Sequence, residues 1–339
     1  MKPYGIDVPV KLNIWIRPEC QKRQFEIISQ VKPSILFLES DGGRNEDEWN
    51  KIYQNREYVE SHIDWDCQIY KLYHDRNEGL YSTAKEEYEI IWSKVDYCIL
   101  LEDDILPDVT YFRFCKELFE KYKDDYRVSA ISGLNLQGTY ERASSDWFFS
   151  RKLAVSGMGM WKRTFEEFYN RDFGKDPYVM SLLKEETKKN DDFQKKILGY
   201  ADSEYYEGHI AFTEFFVEFS AYGQHQLIVV PKRNLIRNIG YGEGSAHAAG
   251  LQRMPKAIRN TFDMETYPMQ FPMKEPEYMI PDPYYEKAFD RIMGRNDKLL
   301  QASRWIQYKW LYLKNGGNLI DGVKKVIRRH QNSNHEYES

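Results

Sequence analysis

Over residues 1–133 the apolar positions follow two alternating patterns. Short, nearly continuous apolar runs read as strands: VKLNIWI (10–16), SILFLES (34–40), DCQIYKLYH (66–74), DYCILL (96–101) and RVSAISG (127–133). Between them apolar residues recur every three to four positions, which predicts helices over 19–31, 46–59, 83–94 and 109–122. Thr83 followed by Glu86 has the spacing of a capping box at the start of the third helix. Alternation at this spacing implies parallel strands joined by right-handed crossovers. The runs ILFL and CILL suit strands covered on both faces. The expected fold is therefore α/β, a Rossmann-like, mostly parallel central sheet flanked by helices, with ligands beyond the carboxyl ends of the strands.

The second half is less regular. Residues 163–170 and 179–198 read as helices, 208–223 as a strongly aromatic helix and LIVVP (227–231) as a strand. RNIGYGEGSAHAAG (237–250) is a glycine-rich loop. Residues 252–286, rich in Pro and Met, predict an extended wrap, and helices resume at 284. The polar end, 331–339, is expected to be disordered.

Composition narrows the class. Hydrophobic residues make up 42% of the 339 and aromatics 15%, which excludes a disordered or low-complexity chain. No run of 18 apolar residues occurs, so no membrane-spanning helix is expected, and MKPYGIDVPVK lacks the apolar core of a signal peptide. Cys20, Cys67, Cys98 and Cys115 form no CxxC pattern and are expected to be buried thiols in a reducing cytosol. Net charge is -5, but 295–330 holds nine Lys/Arg against two acids, or +7, leaving -12 on the remainder. That distribution argues against nucleic acid as a partner and suits a C-terminal end resting on an anionic surface.

Four segments offer chemistry. In LLEDDILPD (100–108) the acids Glu102, Asp103 and Asp104 follow directly on an apolar strand. Packed like charges need a cation, and carboxylates at a strand's carboxyl end suit Mg²⁺ or Mn²⁺ bridging to phosphates; the plain alternative is a solvated acidic turn. In YHDRNEGLYST (73–83), Arg76 with Asn77 and Gly79 can meet a diphosphate or form an ordinary loop. Glu214 and Glu218 lie four residues apart on the aromatic helix, as a general base or as solvated acids. In GYGEGSAH (240–247), glycines permit close backbone approach, and His247 can bind metal or phosphate or be structural.

Taken in order, LEDDILPD, GMGMWKR (157–163), FTEFFVEF (212–219), VVPKRNLIRNIGYGEG (229–244) and His247 resemble the GT-A glycosyltransferases. The likeness is to the N-acetylglucosaminyltransferase I type and to bacterial capsule and O-antigen transferases. IRPECQKRQFE (16–26) and ESDGGR (39–44) look like the nucleotide-recognising start of such enzymes. The likeness covers about 10–250; GMGM stands where those enzymes have a GWGW-like segment, and Glu where they have a catalytic Asp.

The resemblance implies a GT-A domain over 8–250, with a nucleotide-sugar-binding half (8–135) and an acceptor and catalytic half (136–250); the extended wrap and basic helical region (251–330), read from composition and charge, lies beyond it. The resemblance implies a metal on Asp104 with His247 near metal or diphosphate, and Asp103 at ribose or metal with Glu102 in support. Arg17, Asp41, Arg76 and Asn77 would line the nucleotide and diphosphate pocket, and Glu214 would be the base of an inverting transfer. The donor would be a nucleotide-diphosphate sugar, UDP-linked by preference, and the acceptor a glycan or lipid-linked glycan of bacterial surface polysaccharide. The rivals are a sugar-phosphate nucleotidyltransferase, which would want a glycine-rich loop where RPECQKR stands, and a silent carbohydrate-binding or scaffold protein. WIQYKWLYLK (305–314) interleaves aromatics with lysines and suits either a membrane interface or a helix packed on the body of a cytoplasmic protein.

Overall fold

The computed structural model describes residues 2–79, 83–154, 156–168, 176–188, 193–194, 213–241 and 251–315. The apolar runs of the first half form strands β1 (Ile6–Asn13), β2 (Pro33–Ser40), β3 (Gln68–Tyr73) and β4 (Tyr97–Leu101). Helices α1 (Pro18–Val31), α2 (Glu46–Ser61) and α3 (Ala84–Trp92) connect them. There follow β5 (Ile105–Pro107), α4 (Val109–Tyr122), β6 (Val128–Ser132), β7 (Trp147–Ser150), β8 (Met158–Trp161), α5 (Lys162–Phe168) and α6 (Pro177–Glu186). The last elements among the described residues are α7 (Thr213–Gly223), β9 (Leu227–Pro231), β10 (Ile236–Asn238), α8 (Lys256–Arg259), α9 (Pro283–Met293) and α10 (Lys298–Lys314).

The central sheet has eight strands in the order β3-β2-β1-β4-β8-β6-β9-β7. β1 pairs in parallel with β2 and β4, and β2 with β3. β8 is antiparallel to both β4 and β6, β9 is parallel to β6, and β7 is antiparallel to β9. Only β7 and β8 therefore run against the rest, and the sheet is the mostly parallel, helix-flanked one that the alternation predicts. Strands from before and after residue 136 share it. Register aligns Val10 with Leu36 and Ile99, and Leu12 with Leu38 and Leu101, on one face, each at most 1% exposed. Side chains buried this completely stabilise the fold by about 1.5–3 kcal/mol each.

Several details differ from the sequence reading. WFFS and MGMW are strands without period-two alternation, because all four positions of each are buried. Gly159 of β8 lies where a Cβ would sit 2.7 Å from the Phe119 ring. Thr83 makes no cap for α3; its hydroxyl donates to Glu87 at 3.1 Å instead. The helix expected over 179–198 is α6, and 189–192 and 195–198 lie outside the described residues, as does 331–339. Cys98 and Cys115 are buried, whereas Cys20 and Cys67 are half-buried; all four are free thiols.

The extended wrap is held by hydrogen bonds from its backbone N–H groups. Asp263 donates to Asn238 O (2.8 Å), Tyr267 to Asn234 O (2.9 Å), and Asp282 to Phe149 O (2.8 Å), while Met269 donates to Thr110 Oγ1 (2.8 Å). The wrap delivers Tyr285 and Phe289, each 1% exposed, to the core. The Tyr285 ring lies 4.8 Å from that of Phe148 and 5.6 Å from that of Tyr140, edge-on to both. No helix among the described residues is long and apolar enough to cross a membrane.

Candidate functional site

Four loops meet at the carboxyl edge of the sheet. Arg17 follows β1, Asp41 follows β2, Arg76 and Asn77 follow β3, and Glu102, Asp103 and Asp104 follow β4. Parallel strands place these loops side by side, which is where such sheets bind ligands.

The acidic triplet is divided by its surroundings. Glu102 is exposed, Asp103 is 5% exposed, and the Asp104 side chain is 13% exposed. Arg17 spans both aspartates. Its Nε donates to Asp103 Oδ2 at 2.8 Å, its Nη2 donates to Asp103 Oδ1, and its Nη1 donates to Asp104 Oδ2 at 2.9 Å. The cation that the sequence argument seeks for this cluster is thus supplied by Arg17. Burial acts to lower the Arg17 pKa, but hydrogen bonds and charge from Asp103, then Asp104, outweigh it and hold the guanidinium above its ordinary value. Burial pushes Asp103 the other way, above the usual carboxylate range, with Arg17 pulling against it. Hydrogen bonds between oppositely charged groups at this distance fix both side chains in one geometry. Gln24, fully buried in α1, donates to Ile105 O at 2.9 Å and to Glu102 O, which fixes the turn beneath the acids.

Asp104 Oδ1 is buried and has no hydrogen-bond partner among the described residues. β10, antiparallel to β5, brings a second segment against it: Ile239 N–H donates to Asp104 O at 2.9 Å. Gly240 comes so close that a Cβ there would lie 1.8 Å from Asp104 Oδ2 and 2.9 Å from Arg17 Nη1. Gly240→Ala should therefore force the acids and Arg17 apart, at about 1–3 kcal/mol. Urea denaturation measures this, and an unchanged midpoint would show that residue 240 does not press on Asp104.

Asp41 organises the neighbouring loop. Its Oδ1 accepts from the N–H groups of Gly42 (2.8 Å) and Glu78 (2.9 Å), and its Oδ2 from Asn77 Nδ2 (2.9 Å) and Gly79 N–H (3.0 Å). Arg76 points outward, 82% exposed at its side chain, and pairs with Glu78. Asp41 and Asn77 are thus brought together and Arg17 joins the acids; Arg76 belongs to the Asp41 loop by its backbone, Gly42 N–H donating to Arg76 O at 3.3 Å, while its side chain points away from both groups.

In the second half, Glu214 lies in the first turn of α7, but the side chains of 213–216 are outside the described residues, as is His247. Glu218, one turn on, is 5% exposed and accepts from Arg295 Nη1 at 3.1 Å.

Two groups escape the sequence reading. Lys11 and Glu39 form a buried ion pair across β1 and β2, with Asn13 Nδ2 donating to Glu39 Oε1 at 2.8 Å. Nearby, His74 Nε2 lies 2.7 Å from Glu87 Oε1; burial, then the Glu39 charge, pushes Glu87 up, with His74 and Lys11 opposing. Arg56 ties β2 to β3 by donating to Ser40 Oγ and Ser40 O, each at 3.0 Å, and its guanidinium sits 4.3 Å from the Tyr73 ring centroid. The legible signal was a charge inside an apolar strand, Lys11 in VPVKLN and Glu39 in ILFLES.

No group of three or more His, Cys, Asp and Glu side chains able to hold a metal ion is found among the described residues. The open oxygen of Asp104 fits one position of a hard dication whose other ligands are phosphate oxygens and water.

No protein-family model matches the chain, and comparison with curated proteins finds no match. Among solved structures, a cytidylyltransferase from Leptospira borgpetersenii serovar Hardjo-bovis overlaps 49% of this chain at 9% identity and TM-score 0.29; the chain spans 63% of it, less than two thirds. UDP-glucose pyrophosphorylase complexed with UDP-glucose overlaps 68% of this chain and 91% of its own, at 10% identity and TM-score 0.33. Mouse xyloside xylosyltransferase 1 overlaps 65% and 82%, at 11% identity and TM-score 0.33. Overlaps this loose carry no functional argument.

Proposed function

We propose that the chain is a glycosyltransferase that moves a sugar from a nucleotide-diphosphate donor, UDP-linked by preference, to an acceptor hydroxyl with inversion. The reading is carried by one observation: a buried carboxylate oxygen of Asp104, without a hydrogen-bond partner among the described residues, stands at the carboxyl edge of a mostly parallel sheet, held in place by Arg17 and faced by the Gly240 backbone. A carboxylate oriented by Arg17, with one oxygen unpaired among the described residues, suits a diphosphate carried with a dication.

The residues divide the work. Asp104 would hold Mn²⁺ or Mg²⁺, with His247 as a further ligand or diphosphate contact. When bound, the dication neutralises charge building on the departing diphosphate. Arg17 fixes Asp103 and Asp104 in place, with Glu102 at the rim. Asp41 and Asn77 shape the nucleotide pocket from the β2 and β3 loops, and Arg76 would have to leave Glu78 to reach a phosphate. Glu214 takes the proton from the acceptor hydroxyl, whose oxygen attacks the anomeric carbon opposite the leaving group. On this reading 8–135 binds the donor and 136–250 the acceptor, a glycan or lipid-linked glycan of bacterial surface polysaccharide.

The test is a panel of UDP- and GDP-sugars with Mn²⁺, following nucleotide diphosphate release. Release is expected with at least one donor. Pyrophosphate from a nucleoside triphosphate and a sugar phosphate would instead make it a nucleotidyltransferase. No turnover and no nucleotide-induced thermal shift would make it a silent binder. Glu214→Gln should keep donor affinity while turnover falls about 10²-fold or more. Glu218 is committed to Arg295, so unchanged turnover would place the base on neither acid of α7.

A further inference from the structure

Helix α10 (Lys298–Lys314) meets the described body near its C-terminal end. Asn315 at its end donates to Gln252 O at 3.1 Å, Arg253 donates to Asn315 O at 3.2 Å, and the Arg253 guanidinium lies 5.3 Å from the Tyr312 ring centroid. No residue of the helix is buried. Leu299 is 84% exposed, Ile306 61%, Trp310 57% and Leu313 42%. Their spacing of seven, four and three places them on one stripe of the helix. At about 100° per residue, Lys298 and Lys309 fall along one edge of the stripe and Lys314 along the other. The Lys309 Nζ lies 5.7 Å from the Trp305 ring centroid and the Lys314 Nζ 4.9 Å from that of Trp310. From 298 to 314 there is no acidic residue.

We propose that this face docks on an anionic lipid bilayer, the helix lying in the headgroup plane with its stripe in the acyl boundary and its lysines at the phosphates. Charge selects this occupant. An apolar stripe edged by lysines on both sides matches a sheet of negative headgroups over soft apolar chains. A second copy of the helix would bring lysine rows against lysine rows. Residues outside 295–330 carry -12, which an anionic surface repels, so the molecule would approach with this end foremost. The proposal rests on the helix and not on sugar transfer, and it would give that reaction an acceptor presented at a membrane.

The experiment is co-sedimentation of the full chain with phosphatidylcholine vesicles, with and without phosphatidylglycerol. The chain is expected to sediment with anionic vesicles, to stay free with neutral ones, and to be released by salt. Both Leu299→Ser/Ile306→Ser/Trp310→Ser and Lys309→Glu/Lys314→Glu should weaken vesicle binding at least about tenfold. Leu299, Ile306, Trp310 and Lys314 are exposed and Lys309 is half-buried, so circular dichroism should be unchanged. Wild-type binding by either variant would move the contact off this face. Equal binding to neutral vesicles would remove the electrostatic argument. A dimer by light scattering that the same substitutions dissolve would assign the face to a second copy. None of these readouts involves donor turnover, so this proposal and the catalytic one can fail separately.

Discussion

Arg17→Gln should cost the fold about 3–5 kcal/mol, and the cost should grow with pH. Asp103 is 5% exposed, and both of its oxygens are bonded to the guanidinium, which also reaches Asp104. Removing the cation leaves two neighbouring carboxylates without compensation. Burial already pushes Asp103 upward, and the Asp104 charge pushes the same way; Arg17 opposes them. Without it Asp103 should bind a proton more readily in the folded state. A carboxyl whose folded pKa exceeds its unfolded value binds more protons folded than unfolded. Stability then falls as pH rises from the unfolded value through the folded one. Urea denaturation at about pH 5 and about pH 8 measures this, with the larger deficit expected at the higher pH. A loss below about 1 kcal/mol at both values, the range of an exposed ion pair, would mean that Arg17 does not hold the acids.

Asp104→Asn separates chemistry from folding. The amide keeps the volume and can still accept from Arg17, and Asp103 keeps its two bonds, so the urea midpoint should stay near wild type. What is lost is the charge beside the open oxygen. Metal-assisted charge stabilisation is worth several kcal/mol, so nucleotide diphosphate release should fall by about 10³-fold or more. Full metal-dependent release by this variant would end the assignment of Asp104.

The first half of the fold was legible because its strands are long enough to show a pattern and its helices carry one apolar side each. β5, β7, β8 and β10 are three or four residues long, too short for a period. MGMW reads as a glycine motif and is a central strand, because Gly159 makes room for the Phe119 ring. The acids were legible as a cluster, but their partner was not: Arg17 lies 86 and 87 positions away and meets them only because β1 and β4 are neighbours. For the same reason Asp41 could be read as a turn residue but not as the acceptor for the loop at 77–79, which needs β2 beside β3. The buried pair Lys11–Glu39 was hidden by the habit of reading strand interiors as apolar.

The account turns on what meets Asp104 at the edge of the sheet. Its most direct test is a crystal structure with Mn²⁺ and UDP, using the anomalous signal of manganese. The expected result is a manganese peak within bonding distance of the Asp104 carboxylate and beside the bound diphosphate, with the nucleoside toward Asp41. A diphosphate bound elsewhere, with the Asp104 carboxylate still bonded to Arg17 and no manganese beside it, would contradict it.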